Sequence, residues 1–375
     1  MIESFTRDFL ELVKVGLWGN RNLDIRIDNP TDWDSIYQLA QEQSVQGLVL
    51  QGIESFRIQD SGFKIPQMLL LQWIGEVQMI EQQNNEMNAF ITDFIEKLRK
   101  EGIYTILVKG QGVAQCYEKP LWRCSGDVDL FLSESNYERA KLLLQPMASH
   151  VNDEGISAKH LGMTIDGFAV ELHGTLHGGL SSKVDGELDK VKNDTFDKGN
   201  VRSWKNNGVQ VFLLGAENDV FYVFTHFLQH FYKEGLGLRQ ICDWCRLLWT
   251  YKDSLDKELL ELRIKRAGLM TEWRVFAAMA VEYLGMPVDA MPFYSDSAKW
   301  KKKAEKILDF VLEVGNFGHN RDSNYMKYPY VIRKCFSMGR RIGDSFRHAR
   351  IFPLDSLRFF PYMMFNGVRS AIRGE

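Results

Sequence analysis

What this sequence lacks narrows its range before any motif is read. Five cysteines in 375 residues are too few for a disulfide framework. Cys242 and Cys245 make one Cys-x-x-Cys, but no second such pair completes a zinc site. The helical periodicity of 239–249 puts both on one face, as buried free thiols. No apolar run reaches the roughly 18 residues of a membrane span. The start, with Asp8 and Glu11, lacks the basic and apolar regions of a signal peptide, so the expected compartment is the cytoplasm. No charge of one sign dominates: 46 Lys and Arg against 49 Asp and Glu leave a net charge of -3. That balance gives no whole-protein field to gather a polynucleotide. The one basic cluster, Arg333, Lys334, Arg340, Arg341, Arg347 and Arg350, is interleaved with Phe336, Met338, Ile342 and Phe346. This is the spacing of an amphipathic helix with a solvated basic face. Neither nucleic acid nor membrane is expected as a partner. The chain carries no internal repeat and no low-complexity tract.

What is present is length enough for two or three domains and an ordinary globular composition, 45% hydrophobic and 25% charged. Residues 1–100 read as helical. Phe5, Phe9, Leu10 and Val13 form one stripe, and Asp32 and Asp34 flank the start of a helix over 33–43. Pro66 to Lys100 carries apolar residues three and four apart, ended by Gly102 in the manner of a helix C-cap. At 103 the period changes. Ile103 to Val108 has strand length and β-rich composition, followed by Lys109-Gly110-Gln111-Gly112 and a short helix over 113–118. Val128 to Leu132 is a second strand, and 136–148 a helix with Leu142, Leu143 and Met147 inward. His160–Ile165 and Phe168–His173 flank Asp166-Gly167, a strong hairpin signal, here expected at a sheet edge. Residues 178–208, polar and rich in Gly, Asp and Lys, read as a long loop or weak helical excursion. Val209 to Leu214 is one more strand, and helices follow from Ala216 with breaks near 235, 286 and 353. The expected fold class is α+β. A helical region over 1–100 precedes an α/β core over 101–214 with a small mixed sheet, and a second helical region occupies 215–375.

The chemistry concentrates on the second strand. In Ser125-Gly126-Asp127-Val128-Asp129-Leu130 the alternation of a strand projects Asp127 and Asp129 together, with Val128, Leu130 and Leu132 opposite. Two carboxylates on one face repel each other, and a strand accepts them best at an exposed end or around a cation. Oxygen-only ligation suits Mg²⁺ or Mn²⁺. Asp-x-Asp alone discriminates loosely. Its context adds weight. The preceding turn has glycines that let a backbone approach phosphate and Lys109 as a point charge, although a plain strand-to-helix turn would read the same way. A third acid is needed to hold two metals. Glu171 is the best candidate because it shares a strand face with His173 while Val170 and Leu172 face away. Asp153 and Asp166 are its rivals, and an exposed sheet face would place Glu171 there equally well. Further on, His226 and His230 lie beside an apolar stripe of Val220, Phe224, Phe227, Leu228 and Phe231, with Asp219 on the same strip. Phe227 follows His226 where a zinc hydrolase carries its glutamate base, so these histidines read as part of an acceptor pocket.

Together these residues resemble the DNA polymerase beta-like nucleotidyltransferase superfamily. More closely, they resemble uncharacterised bacterial nucleotidyltransferases with Lys-Gly, a helix, then Arg-x-x-Gly-Asp-hydrophobic-Asp. The matching positions are Lys109-Gly110 and Arg123-Cys124-Ser125-Gly126-Asp127-Val128-Asp129. Val170-Glu171-Leu172-His173 is similar to the family's later element. His226, His230, Leu238-Arg239 and Asp243 are similar to its helical continuation, and Asp32-Trp33 and Ala40 with Val45-Gln46-Gly47 to its N-terminal part. Two features depart from the superfamily pattern: Gln111 follows Gly110 where Ser or Gly is usual, and the gap from Gly110 to Asp127 is longer. The resemblance implies an enzyme that transfers a nucleoside monophosphate from an NTP to a hydroxyl acceptor such as a sugar, antibiotic or metabolite. Two alternatives stand beside it: an adenylylating enzyme that acts on proteins, like the antitoxin relatives, and an inactive nucleotide-binding or interaction module. It implies Asp127, Asp129 and Glu171 as catalytic and metal-binding residues for Mg²⁺ or Mn²⁺. Lys109, Gly110, Gln111, Gly112, Arg123, Ser125 and Gly126 would seat the nucleotide. His173, His226, His230, Arg239 and Asp243 would stand at or behind the acceptor pocket.

Overall fold

The computed structural model describes residues 3–19, 27, 31–59, 64–152, 159–321, 327 and 330–373. Four helices come first: α1 (Ser4–Trp18), α2 (Trp33–Glu42), α3 (Gln46–Gln59) and α4 (Gln67–Lys100). Asp32 caps α2 by accepting from the Ser35 amide. At the other end of α4, Ile103 N–H bonds Leu98 O across Gly102, whose φ of +67° suits only glycine well.

The chain then alternates strand and helix: β1 (Ile106–Val108), α5 (Gly110–Ala114), β2 (Asp127–Phe131), α6 (Glu134–Leu144), β3 (His150–Val151), β4 (His160–Ile165), β5 (Phe168–His173), α7 (Ser182–Phe196), β6 (Val201–Asn206) and β7 (Val209–Leu214). Seven helices close it: α8 (Ala216–Lys233), α9 (Leu238–Tyr251), α10 (Lys257–Ala267), α11 (Met270–Leu284), α12 (Ala298–Val314), α13 (Tyr330–Ala349) and α14 (Pro353–Arg373). The protein is α+β. Its strands form one mixed sheet in the order β3-β4-β5-β2-β1-β7-β6, with β2 parallel to β5 and β1 parallel to β7. Among the described residues no helix is long and apolar enough to cross a membrane.

Both faces of the sheet are covered. On one, Leu107, Val128, Leu130, Val170 and Leu172 pack with Met87, Ile91, Phe94, Ile95 and Leu98 of α4 and Tyr137 and Leu144 of α6. On the other, Ile106, Val108 and Phe131 join a larger core built by the helices from both ends of the chain. Trp18 Nε1 donates to Leu284 O at 2.6 Å and Gln43 Nε2 to Val311 O at 3.1 Å, so early and late helices share that core.

Three local expectations are corrected. Residues 178–208 hold a full helix, α7, and the strand β6, where a long loop or a weak helical excursion was expected. Val184, Leu188 and Val191 give α7 a buried stripe under a polar exterior, and Ser181 caps it. Asn207-Gly208, both at positive φ, turns β6 onto β7 as a hairpin. In α6 the inward residues are Tyr137, Ala140 and Leu144, while Leu142 is exposed, because the helix starts at Glu134 and its stripe is set from there. The β4–β5 hairpin is not at an edge: β5 lies against β2, and β3 covers β4. In α13, Phe336, Met338, Ile342 and Phe346 are exposed, and Arg347 pairs with Glu313. The side chains of Arg333 and Lys334 lie outside the described residues.

Candidate active site

The parallel pairing of β2 with β5 puts Asp129 beside Glu171 and Phe131 beside His173. Side chains alternate along each strand, so the face opposite the α4–α6 core carries Asp127, Asp129, Glu171 and His173 together. Asp166-Gly167, with φ of 50° and 83°, closes the next hairpin in a tight turn, which brings His160 opposite His173. The two imidazoles stack 4.7 Å apart with planes 8° from parallel. His160 Nε2 lies 3.0 Å and His173 Nε2 3.5 Å from Glu171 Oε2, and His173 Nε2 is 2.7 Å from Asp129 Oδ1. One oxygen each of Asp127, Asp129 and Glu171 lies within 4.8 Å of the others.

Lys109 joins this cluster from the end of β1. Its backbone stands at φ 56° and Gly110 follows at 37°, a bend that turns the lysine back toward β2. Its Nζ is 2.7 Å from Asp129 Oδ1. Burial opposes the ammonium, yet Asp129, with Tyr222, Asp127 and Glu171, holds its pKa above the usual lysine value. Asp127 is pushed up, first by the adjacent Asp129 and then by burial. Burial would raise Glu171, but hydrogen bonds from His160 and His173 hold it far below an ordinary carboxylate. Burial would lower His173, but Asp129 and Glu171 keep it above the usual histidine value. Asp129 Oδ2 is buried and has no hydrogen-bond partner among the described residues. A carboxylate oxygen left so is costly for folding.

These groups open into a cavity of about 750 Å³, whose lining also includes Arg123, Tyr222, His226, His230, Lys233 and Arg239. Arg123 is locked at the rim: Nε and Nη2 each reach an Asp243 oxygen at 2.7 Å, and Nη1 donates to Ser125 Oγ. Tyr117 OH donates to the same Asp243 at 2.7 Å. Arg239 donates Nη1 to Cys124 O, while its buried Nε has no hydrogen-bond partner among the described residues. His226 and His230 face each other at 3.1 Å between their Nε2 atoms, and His230 Nδ1 meets Glu234. Burial, with Lys109 and His230 adding to it, holds His226 well below the usual histidine pKa.

Residues 29–285 match the model of a family described as uncharacterised nucleotidyltransferases, which spans most of the chain and every residue of the carboxylate cluster. The chain belongs to this nucleotidyltransferase family. Among solved structures, an antigenic nucleotidyltransferase-like protein from Paracoccidioides brasiliensis is similar at 14% identity, over 53% of this chain and 93% of that one. The TM-score between the two is 0.32. No curated protein matches the chain.

In this nucleotidyltransferase, Lys109, Gly110, Arg123, Gly126, Asp127, Asp129, Glu171, His173, His226, His230, Arg239 and Asp243 all line the cavity. Gln111, Gly112 and Ser125 are not part of that lining. Gln111 is buried against α4, donating to Asn84 Oδ1 at 2.7 Å. A side chain at Gly112 would meet Leu213 at 2.8 Å, so that glycine serves packing of α5 on the sheet. Asp166 sits in its hairpin turn, and Asp153 lies outside the described residues. Asp219 pairs with Arg202 on β6, and Cys242 and Cys245 are buried free thiols. Sequence reasoning missed His160, Tyr222 and Lys233. His160 was within reach: a two-residue turn at 166–167 pairs Ile165 with Phe168, and counting outward pairs His160 with His173.

Proposed function

We propose that this chain belongs with the DNA polymerase beta-like nucleotidyltransferases and transfers a nucleoside monophosphate from a metal-bound NTP to the hydroxyl of a small acceptor. One observation carries the reading: three carboxylates from two adjacent strands converge on one mouth of a cavity, in a chain of a nucleotidyltransferase family. The donor set fits a hard divalent cation such as Mg²⁺ or Mn²⁺. All three are oxygen ligands within one coordination sphere's reach, and the orphaned Asp129 Oδ2 is the kind of atom a cation would satisfy. When bound, such a cation draws charge from the triphosphate and makes an acceptor hydroxyl more acidic.

The chain's own groups have separate parts. Asp127 and Asp129 would hold the cation from β2 and Glu171 from β5. Lys109, paired to Asp129, offsets the charge that three clustered acids concentrate. Arg239 is the cation best placed for phosphate, since its Nε has no hydrogen-bond partner among the described residues and it shares the cavity with Asp127. Arg123, committed to Asp243, holds the 123–126 loop that leads into the acids. A volume of about 750 Å³ is that of a small-molecule site, which favours a small acceptor over a protein.

Calorimetric titration of ATP, GTP, CTP and UTP with and without Mg²⁺ tests the reading. Wild type binds at least one NTP only with metal, and the Asp127→Ala/Asp129→Ala double variant binds none. Equal binding by both proteins, or by neither, removes the enzyme reading. Labelled transfer from [α-³²P]ATP onto protein in a lysate would move the acceptor from small molecule to polypeptide.

A further inference from the structure

We propose that His160, His173 and Glu171 form a transition-metal centre of two imidazoles and one carboxylate, beside the three-acid cluster and sharing Glu171 with it. The inference rests on the nucleotidyltransferase reading only through that shared residue. The backbone builds it directly: His160 and His173 are cross-strand partners on β4 and β5, and Glu171 is the next residue of β5 on the same face. Both Nε2 atoms point at one carboxylate oxygen, from 3.0 and 3.5 Å. Metal bonds of about 2.0–2.2 Å place neighbouring donors about 3.0 Å apart at a right angle and about 3.4 Å apart at the tetrahedral angle. The two spacings therefore already match the edges of a coordination polyhedron. One donor atom from each of the three residues lies within 4.8 Å of the others.

Two further observations point to a ligand there. All three residues line the cavity, which leaves open positions for water or substrate. Asp129, whose buried Oδ2 has no hydrogen-bond partner among the described residues, places Oδ1 2.7 Å from His173 Nε2, close enough to serve as a fourth donor to the same ion. Lys109, the nearby positive charge, is held by Asp129 rather than by Glu171.

The donor chemistry sets the class of ion. Mg²⁺ takes oxygen ligands, whereas imidazole favours the later divalent ions Co²⁺, Ni²⁺ and Zn²⁺, with Fe²⁺ and Mn²⁺ below them. The protein thus offers two unlike cation positions a few ångströms apart, one all-oxygen and one nitrogen-rich.

Cobalt reports on this directly, without turnover. Titrated into the full chain, Co²⁺ should give the ligand-field absorption of a nitrogen-ligated ion, displaced by Zn²⁺ but not by excess Mg²⁺. The His160 side chain is part-exposed, so His160→Ala should fold, lose the band and bind Co²⁺ at least ~10–100-fold more weakly. His160→Gln is a second route should that variant unfold. A wild-type spectrum of purely oxygen-ligated Co²⁺, or a band unchanged in a folded His160 variant, overturns the proposal. Asp127→Asn should keep the cobalt band while losing metal-dependent NTP binding. A band in wild type without any NTP binding would keep this centre and sink the nucleotidyltransferase reading instead.

Discussion

Along β2 and β5 the backbone alternates between two faces, and both are largely withdrawn from water. One presents Val128, Leu130, Val170 and Leu172, each at most 1% exposed, to the helices α4 and α6. The other presents Asp127, Asp129, Glu171 and His173 to the cavity. The apolar face gains free energy with every side chain it buries, roughly 1.5–3 kcal/mol for a residue of Val or Leu size. The polar face loses free energy on burial, and Asp129 keeps one oxygen without a hydrogen-bond partner among the described residues. The same two strands therefore hold the fold together on one side and store an electrostatic cost on the other. Such a cost is expected where charges are arranged for chemistry rather than for stability.

Substitutions on the two faces should differ in sign. Leu130→Ala removes a fully buried side chain from the apolar face and should lower unfolding stability by about 2–5 kcal/mol. Asp127→Asn, by removing a charge that Asp129 already disfavours, should raise stability by about 1 kcal/mol while abolishing nucleotide transfer. Urea unfolding of both variants beside wild type decides it. A loss in Asp127→Asn as large as that in Leu130→Ala would mean that the polar face is structural, and the comparison would fail.

How far the sequence discloses each face follows from the range of the interactions involved. Strand alternation alone separates Asp127 and Asp129 from Val128 and Leu130, because period two is a property of the local backbone. The hairpin at Asp166-Gly167 is equally local, and it carries His160 to His173. The adjacency of Asp129 and Glu171 is not local. It needs β2 parallel to β5, with Glu171 paired to Asp129 42 positions earlier in the chain, and no residue pattern states that pairing. The cavity's far wall comes from α8 and α9, whose Arg239 and Asp243 reach the rim only through helix packing. Gln111 shows the reverse error. Its place after Gly110 suggests nucleotide contact, but burial against Asn84 draws it to the other side of the turn.

A buried acid outside the cavity sharpens the contrast further, with a smaller effect. Glu272 on α11 is fully buried, and it accepts a hydrogen bond from Tyr232 OH at 3.3 Å. Burial, with Asp355 adding to it, pushes its pKa from 4.5 up to about 8. Burial would raise Glu171 as well, but hydrogen bonds from His160 and His173 hold it low, so hydrogen-bonding partners separate the two acids. For Glu272 the sign follows from proton counting. Between about pH 4.5 and pH 8 the unfolded chain has lost this proton while the folded chain keeps it, so the folded state binds more protons and stability falls as pH rises. The slope from this group is at most about 1.4 kcal/mol per pH unit. Glu272→Gln keeps an acceptor for Tyr232 and removes the titration. Urea unfolding at intervals across that window should show a flatter decline than wild type, converging with it toward acid pH where Glu272 is protonated in both states. Identical slopes in the two proteins would mean that Glu272 is already ionised in the folded chain across that window.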